Sequence, residues 1–218
     1  MHTKPSYDMF RGCLIILLLI SAVYGEDTGV FPTVERPILQ LLENLDVHDD
    51  SEAGFAELDG RVYFTFINQS GFMQLRQTDG TLNATVLVKE FHAGDPETLF
   101  SFNGALYLAA DDNSGSGVEL WKSDGTPAGT VLHKDIKPGS ADSHPEDFTI
   151  SGSALYFVAS DASSRQLWKT NGTASGTVKV TGIADHSGGH DPLITSLVDV
   201  NGVLNFIANE SDQSRALW

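Results

Sequence analysis

Internal repetition limits the architectures open to this chain. The run Val118-Glu119-Leu120-Trp121-Lys122-Ser123-Asp124-Gly125-Thr126-Pro127-Ala128-Gly129-Thr130-Val131 recurs as Arg165-Gln166-Leu167-Trp168-Lys169-Thr170-Asn171-Gly172-Thr173-Ala174-Ser175-Gly176-Thr177-Val178. A weaker copy runs Gln74-Leu75-Arg76-Gln77-Thr78-Asp79-Gly80-Thr81 and then Ala84-Thr85-Val86, and a fourth opens at Ala216-Leu217-Trp218. A second motif keeps step with the first: Asp59-Gly60-Arg61-Val62-Tyr63, Asn103-Gly104-Ala105-Leu106-Tyr107, Gly152-Ser153-Ala154-Leu155-Tyr156 and Asn201-Gly202-Val203-Leu204-Asn205. Its glycines, 60, 104, 152 and 202, lie 44, 48 and 50 residues apart. Units of this size cannot bury an apolar face alone, so neighbours must stack to make a core.

Each unit reads as four short strands. Leu-Trp, Thr-Val-Leu-His-Lys-Asp-Ile, Asp-Phe-Thr-Ile and Leu-Tyr-Phe-Val-Ala, within 120–159, are rich in β-branched and aromatic residues and bounded by Gly, Asp, Ser and Pro. Asp79-Gly80, Asp124-Gly125 and Asn171-Gly172 offer the positive-φ positions of hairpin turns, as do Asp59-Gly60, Asn103-Gly104 and Asn201-Gly202. Four antiparallel strands joined by tight connections make one propeller blade. The expected fold class is all-β, a β-propeller-like array of four-stranded antiparallel units, about four blades in a closed or incomplete ring. Beyond residue 25, only Pro37 to Leu45 has a helical period.

At the N-terminus, Lys4 and Arg11 precede an apolar run from Cys13 to Ile20, then Ser21-Ala22-Val23-Tyr24-Gly25. This is the pattern of a secretory signal peptide, with Val23 and Gly25 at the −3 and −1 positions. The expected organisation is a signal peptide at 1–25, a linker at 26–37 and a repeat domain at 38–218. Its units fall at about 38–67, 68–111, 112–160 and 161–210, with a further one starting at 211–218. Cleavage would remove Cys13, the one cysteine, leaving no disulfide and no thiol chemistry.

Leu41-Leu42-Glu43-Asn44-Leu45 sits where Val131 to Ile136 sits in a later unit. Either the last strand completes the first blade of a four-bladed ring, or the chain is a piece of a longer array, the reading that the isolated Leu217-Trp218 copy favours.

The run Glu-Leu-Trp-Lys-Ser-Asp-Gly-Thr-x-x-Gly-Thr, followed by Lys134-Asp135-Ile136-Lys137-Pro138-Gly139, resembles the ELWxxDGT repeat proteins. These are mostly large secreted or cell-surface proteins, chiefly bacterial and sometimes labelled hyalin-like. The resemblance extends from about 38 to 218 and is closest at 118–160. It weakens at 72–110, where Arg76 replaces the Trp and Phe91-His92 the usual Ile-x-Pro. A secreted or surface-exposed repeat protein is what the resemblance implies.

Charge narrows the partners. The chain holds 29 acidic and 13 basic residues, a net charge of −16. Such a surface repels nucleic acid and anionic lipid, so neither is expected to bind, and no membrane association is expected after signal cleavage. Catalysis is not expected either: there is no Gly-x-Ser-x-Gly elbow, phosphate loop or zinc-protease motif.

Three sets of candidate residues remain. The loop before the third strand carries His and Asp in every unit: His48-Asp49-Asp50, His92 with Asp95, Asp142 with His144, and His186 with His190-Asp191. If equivalent loops share one face, these groups form a candidate zinc or transition-metal site. The stretch Asp111-Asp112-Asn113-Ser114-Gly115-Ser116-Gly117-Val118-Glu119 is oxygen-rich and Gly-spaced, a candidate calcium loop without EF-hand spacing. Turn capping is the competing role for both sets. Asn68, Asn83, Asn171 and Asn209 head N-glycosylation sequons, and Asn68, Asn171 and Asn209 are expected to be exposed, Asn68 and Asn209 in an inter-blade loop.

The expected function is a secreted or cell-surface, non-enzymatic scaffold that binds an extracellular protein or carbohydrate through propeller loops. No cofactor is required. The alternatives are a calcium- or zinc-binding extracellular module, and a fragment of a larger secreted hydrolase or adhesin.

Overall fold

The computed structural model describes residues 53–79, 85–180, 194–209 and 215–217. The expected signal peptide, the linker and the segment 38–52 lie outside these residues.

The described chain is all-β, and no helix occurs among its described residues. The first sheet contains β1 (Gly54–Leu58), β2 (Arg61–Ile67), β3 (Met73–Thr78) and β4 (Val86–Phe91). The second contains β5 (Ala93–Phe102), β6 (Ala105–Asp111), β7 (Glu119–Ser123) and β8 (Val131–Lys134). The third contains β9 (Glu146–Ser151), β10 (Ala154–Ser160), β11 (Arg165–Thr170) and β12 (Val178–Lys179). The fourth contains β13 (Thr195–Val200), β14 (Val203–Asn209) and β15 (Arg215–Leu217). Every sheet is antiparallel and ordered as in the sequence. Successive first strands adjoin, β1 with β5, β5 with β9 and β9 with β13, and form the inner edge of the series.

The sheets are half a unit out of step with the units at 68–111, 112–160 and 161–210. Each sheet joins the second half of one unit to the first half of the next. A period leaves open where the chain should be cut, and hydrogen bonding decides it. The Asp/Asn-Gly turns close within sheets, whereas the segment 135–145 crosses between them.

Two kinds of hairpin build each sheet. Between first and second strands, Asp59-Gly60, Asn103-Gly104 and Asn201-Gly202 all have positive φ at both residues, the two-residue turn whose twist suits paired strands. Between third and fourth strands the expectation of an equally tight turn is corrected. Among the described residues of these turns only Gly125 and Gly172 have positive φ, and residues 124–130 form a longer loop. Asp124 Oδ1 accepts from the Thr126 amide and hydroxyl at 2.9 and 2.7 Å. The Gly129 amide donates to the Thr126 hydroxyl, and the Thr130 hydroxyl donates to the Thr126 carbonyl. Asn171, Thr173, Gly176 and Thr177 repeat every one of these bonds. The buried hydroxyl pairs Ser123–Thr130 and Thr170–Thr177, at 2.7 and 2.8 Å, close the loop bases.

The core lies between sheets. Side chains alternate along a strand, so β6 sends Leu106, Leu108 and Ala110 into the first interface and Ala105 and Tyr107 into the second. β10 sends Leu155, Phe157 and Ala159 back to the second interface and Val158 on to the third. The Phe91 and Trp121 rings meet edge to face at 5.1 Å in the first interface.

Close packing and polar contacts fasten the same seams. The Tyr63 hydroxyl lies against Gly125 of the next sheet's loop, and the Tyr107 hydroxyl lies against Gly172 one sheet on. Lys122 Nζ donates to the Gly172 carbonyl at 2.9 Å while lying over the Tyr107 ring. His133 Nε2 meets the Thr177 hydroxyl at 3.0 Å, and burial, reinforced by Lys122 and Lys134, pushes its imidazole down to about 4. The ring is thus neutral at this seam, with one donor and one acceptor nitrogen.

A Cβ at Gly125 would collide with the Tyr63 hydroxyl, whereas one at Gly104 would meet nothing within 4 Å. Both glycines have positive φ, +88° and +68°. Gly104→Ala should therefore cost only backbone strain, about 1–2 kcal/mol, and Gly125→Ala about 1–2 kcal/mol more through overpacking. Urea denaturation measures both, and equal losses would show that the hairpin does not rest tightly on Tyr63.

Candidate functional site

Two features face outward from this frame: the crossovers between sheets and a cleft on the inner edge. The crossover from the second to the third sheet is anchored by Glu119, the first residue of β7, which is fully buried. Its Oε2 accepts from the Ile136 amide and the Ser143 hydroxyl, both at 2.7 Å, and its Oε1 accepts from the Lys137 amide at 3.3 Å. Burial pushes this carboxyl up against the opposing pull of the three donors, and Asp135 adds to the rise. Asp142 Oδ1 accepts from the Val118 amide at 2.7 Å, and the Ser143 amide donates to the Val118 carbonyl at 2.9 Å. The loop is thus a fixed element with an exposed outer surface.

That surface holds part of the candidate metal set. His144 Nε2 lies 3.6 Å from Asp142 Oδ2, and both side chains are exposed. His92 is exposed beside the Phe72 ring, and Asp95 Oδ1 accepts from the Glu97 amide at 3.2 Å. The expected equivalence of the loops is corrected here. In the first crossover His92 alone separates β4 from β5, and Asp95 lies inside β5, paired with Ala109. A single-residue connection cannot project its groups as the segment 135–145 does. His48, Asp49, Asp50, His186, His190 and Asp191 lie outside the described residues. Among the described residues no three His, Cys, Asp or Glu side chains are placed to hold a metal ion.

In the candidate calcium loop, Asp111 Oδ1 accepts from the Asn113 amide and Asp112 Oδ1 from the Ser114 amide. Asp112 Oδ2 lies 3.5 Å from Lys89 Nζ, and Glu119 is turned inward to the crossover. These oxygens cap turns and seams rather than converging on one point.

The sequons divide. Asn171 is exposed at its hairpin tip, with Oδ1 accepting from Thr173. Asn68 corrects the expectation of exposure, because it is only 8% exposed. Its Oδ1 accepts from the Ser70 and Phe72 amides at 3.0 Å, and its Nδ2, the atom a glycan would need, donates to Glu90 at 3.4 Å. Nor does Asn68 sit between sheets: it follows β2 within the β2–β3 hairpin, and Asn209 ends β14 next to β15. Asn83 lies outside the described residues.

The second feature was not anticipated. β5 and β9 enclose a cleft of about 300 Å³ lined by Asp95, Glu97, Thr98, Phe100, Glu146, Asp147 and Phe148. The half-buried Phe100 and Phe148 rings stack at 6.2 Å, and Phe148 stacks in turn on Phe157 at 5.5 Å. Arg165 pairs with Glu146 and lies 3.8 Å from Asp147, leaving the mouth net negative. Asp147, at φ +56°, sits where the β9–β10 register slips, and this bulge turns the inner strand at the cleft wall. One signal was available in the sequence: Pro96-Glu97 and Pro145-Glu146 stand at the same distance before their turns.

The chain matches no protein-family model and no curated protein. In structure it is similar to a prolyl endopeptidase, with a TM-score of 0.48 and 9% identity, over 77% of this chain and 26% of that one. Oligopeptidase B from Leishmania major gives a TM-score of 0.42 and 10% identity, over 77% of this chain and 27% of that one. A GH43 β-1,3-galactosidase gives 0.40 and 9%, over 77% and 71%. The chain thus spans about a quarter of the length of the first two.

Glu119 serves the crossover as an acceptor for three donors, two of which share one oxygen. Glu119→Gln keeps one oxygen for Ile136 and Ser143 and should cost under about 1 kcal/mol, whereas Glu119→Ala strands buried donors and should cost about 2–4 kcal/mol. Equal losses in chemical denaturation would mean that the loop needs the charge.

Proposed function

We propose that this protein is a secreted or cell-surface, non-enzymatic scaffold of the ELWxxDGT repeat type. Its sheets act as blades of an open propeller, and its partner is an extracellular carbohydrate or protein bound along the inner edge and the adjoining crossovers. The observation that carries this reading is the cleft between β5 and β9, where carboxylates rim a pair of half-buried phenyl rings. A sugar presents an apolar C–H face that suits aromatic rings and hydroxyl donors that suit carboxylates. The negative mouth and the net charge of −16 favour a neutral or amino-bearing glycan over a sulfated or carboxylated one. Variable crossovers on a fixed frame supply recognition without requiring reactive groups.

The test is a glycan array followed by calorimetry on the secreted chain. A neutral or amino-bearing glycan should be retained, and the double variant Glu97→Gln/Asp147→Asn, at two exposed positions, should weaken its binding about tenfold, or about 1.4 kcal/mol. Retention of only anionic glycans, or undiminished binding by the variant, would contradict the reading.

A further inference from the structure

An asparagine followed by glycine is open to attack on its own side chain, because glycine has no Cβ to crowd the approach of its amide nitrogen. The chain carries three such pairs, Asn103-Gly104, Asn171-Gly172 and Asn201-Gly202, all among the described residues. The attacking species is the glycine nitrogen after loss of its proton, so a group that holds the N–H suppresses the reaction. A carboxylate does so twice, by accepting the hydrogen bond and by repelling the anion.

The second and fourth sheets hold two of these pairs in the same turn. Asn103 and Asn201 have φ of +48° and +54°, and Gly104 and Gly202 have φ of +68° and +82°. All four residues are exposed, and a Cβ at either glycine would meet nothing within 4 Å. The caps differ. The Gly202 amide donates to Asp199 Oδ2 at 3.1 Å. Bonds from the Ser151 side chain and the Gly202 and Gly152 amides hold the Asp199 carboxyl below the usual carboxylate range, so it is ionised at neutral pH. In the first sheet the Gly60 amide donates likewise to Glu57 Oε1 at 2.9 Å. Glu57, Ser101 and Asp199 share one position, two residues before the turn and opposite Val62, Leu106 and Leu204. Ser101 brings no carboxylate, and the Gly104 amide has no hydrogen-bond partner among the described residues. The remaining pair is held at both ends. The Gly172 amide donates to the Thr170 hydroxyl at 3.0 Å, and Asn171 Oδ1 accepts from the Thr173 amide and hydroxyl.

We propose that Asn103 is a site of spontaneous covalent modification, converting to aspartate and isoaspartate, while Asp199 protects the matching turn at Asn201. The Gly104 nitrogen bonds to Asn103 Cγ, the Cγ–Nδ2 bond breaks, and Nδ2 leaves as ammonia with the proton given up by the Gly104 amide. The product is a five-membered imide. Water then opens it at one of two bonds. Cleavage between Cγ and the Gly104 nitrogen restores the ordinary main chain and leaves an aspartate side chain. Cleavage between the main-chain carbonyl carbon and that nitrogen leaves the chain running through Cγ, as isoaspartate. Both products carry a new carboxylate. Isoaspartate also lengthens the main chain by one carbon, within the two-residue turn that sets Phe102 opposite Ala105.

Peptide mapping by mass spectrometry of the full chain, held folded at neutral pH over weeks, tests this. Asn103 should convert at least about tenfold faster than Asn201, the rate equivalent of one hydrogen bond to a charged group. In urea, with both turns undone, the two sites should convert at similar rates. Equal rates in the folded chain would overturn the proposal. So would the same tenfold ratio in urea, because the neighbouring sequence and not the turn would then set it. The double variant Ser101→Asp/Asp199→Ser exchanges the caps and should reverse the order of the two sites, and an order unchanged by the exchange would equally overturn the proposal. Should the exchange disturb the fold, the comparison of folded and urea-treated chain without substitutions decides by itself.

Discussion

The hairpin that follows Trp121 lies on a tyrosine of the preceding sheet, and the stacking of the array depends on that contact. A single four-stranded sheet has two faces and no core of its own. β6 is buried along both faces only because a sheet lies on each side, with Leu106 and Leu108 in one cluster and Tyr107 in the next. Each fully buried side chain of this size contributes about 1.5–3 kcal/mol, yet apolar contact alone would let sheets slide. The threonine-locked loop supplies a fixed shape for Tyr63 and Tyr107 to fit. Lys122 and His133 add directional bonds at one of the seams. The most recognisable motif of the chain is therefore a fastening between sheets rather than a place for chemistry.

Much of the frame was legible in the sequence because its information is local. Two-residue turns at Asp59-Gly60, Asn103-Gly104 and Asn201-Gly202 follow from the residues themselves, and alternation of apolar residues follows from strand geometry. The phase of the sheets was not legible, since a repeat reads the same from any starting point. The consequences fall on particular residues. Asp95 belongs to a strand and not a loop, and Asn68 is drawn into its own hairpin by two backbone amides. Glu119 looked like the last ligand of an acidic loop, but the donors that claim it come from residues 17 to 24 positions later. No local pattern announces such a contact.

The cleft illustrates the same limit. Phe100 and Phe148 belong to different sheets, and only the packing of β5 against β9 brings them together. The frame repeats closely, with Thr126 and Thr173 making identical bonds, while the two connections that lie wholly within the described residues differ widely, one residue at His92 against the long segment 135–145. A constant frame with unequal connections is suited to recognising a partner, because sequence change in the connections leaves the seams intact.

If the seams rather than the sheets are the unit of stability, amides in β6 and β10 should not open separately. Native-state hydrogen exchange along the chain measures this most directly. The account predicts that β6 and β10, covered on both faces, exchange together at the free energy of global unfolding, and that β14 exchanges earlier. Distinct opening energies for β6 and β10, or protection in β14 equal to theirs, would contradict it.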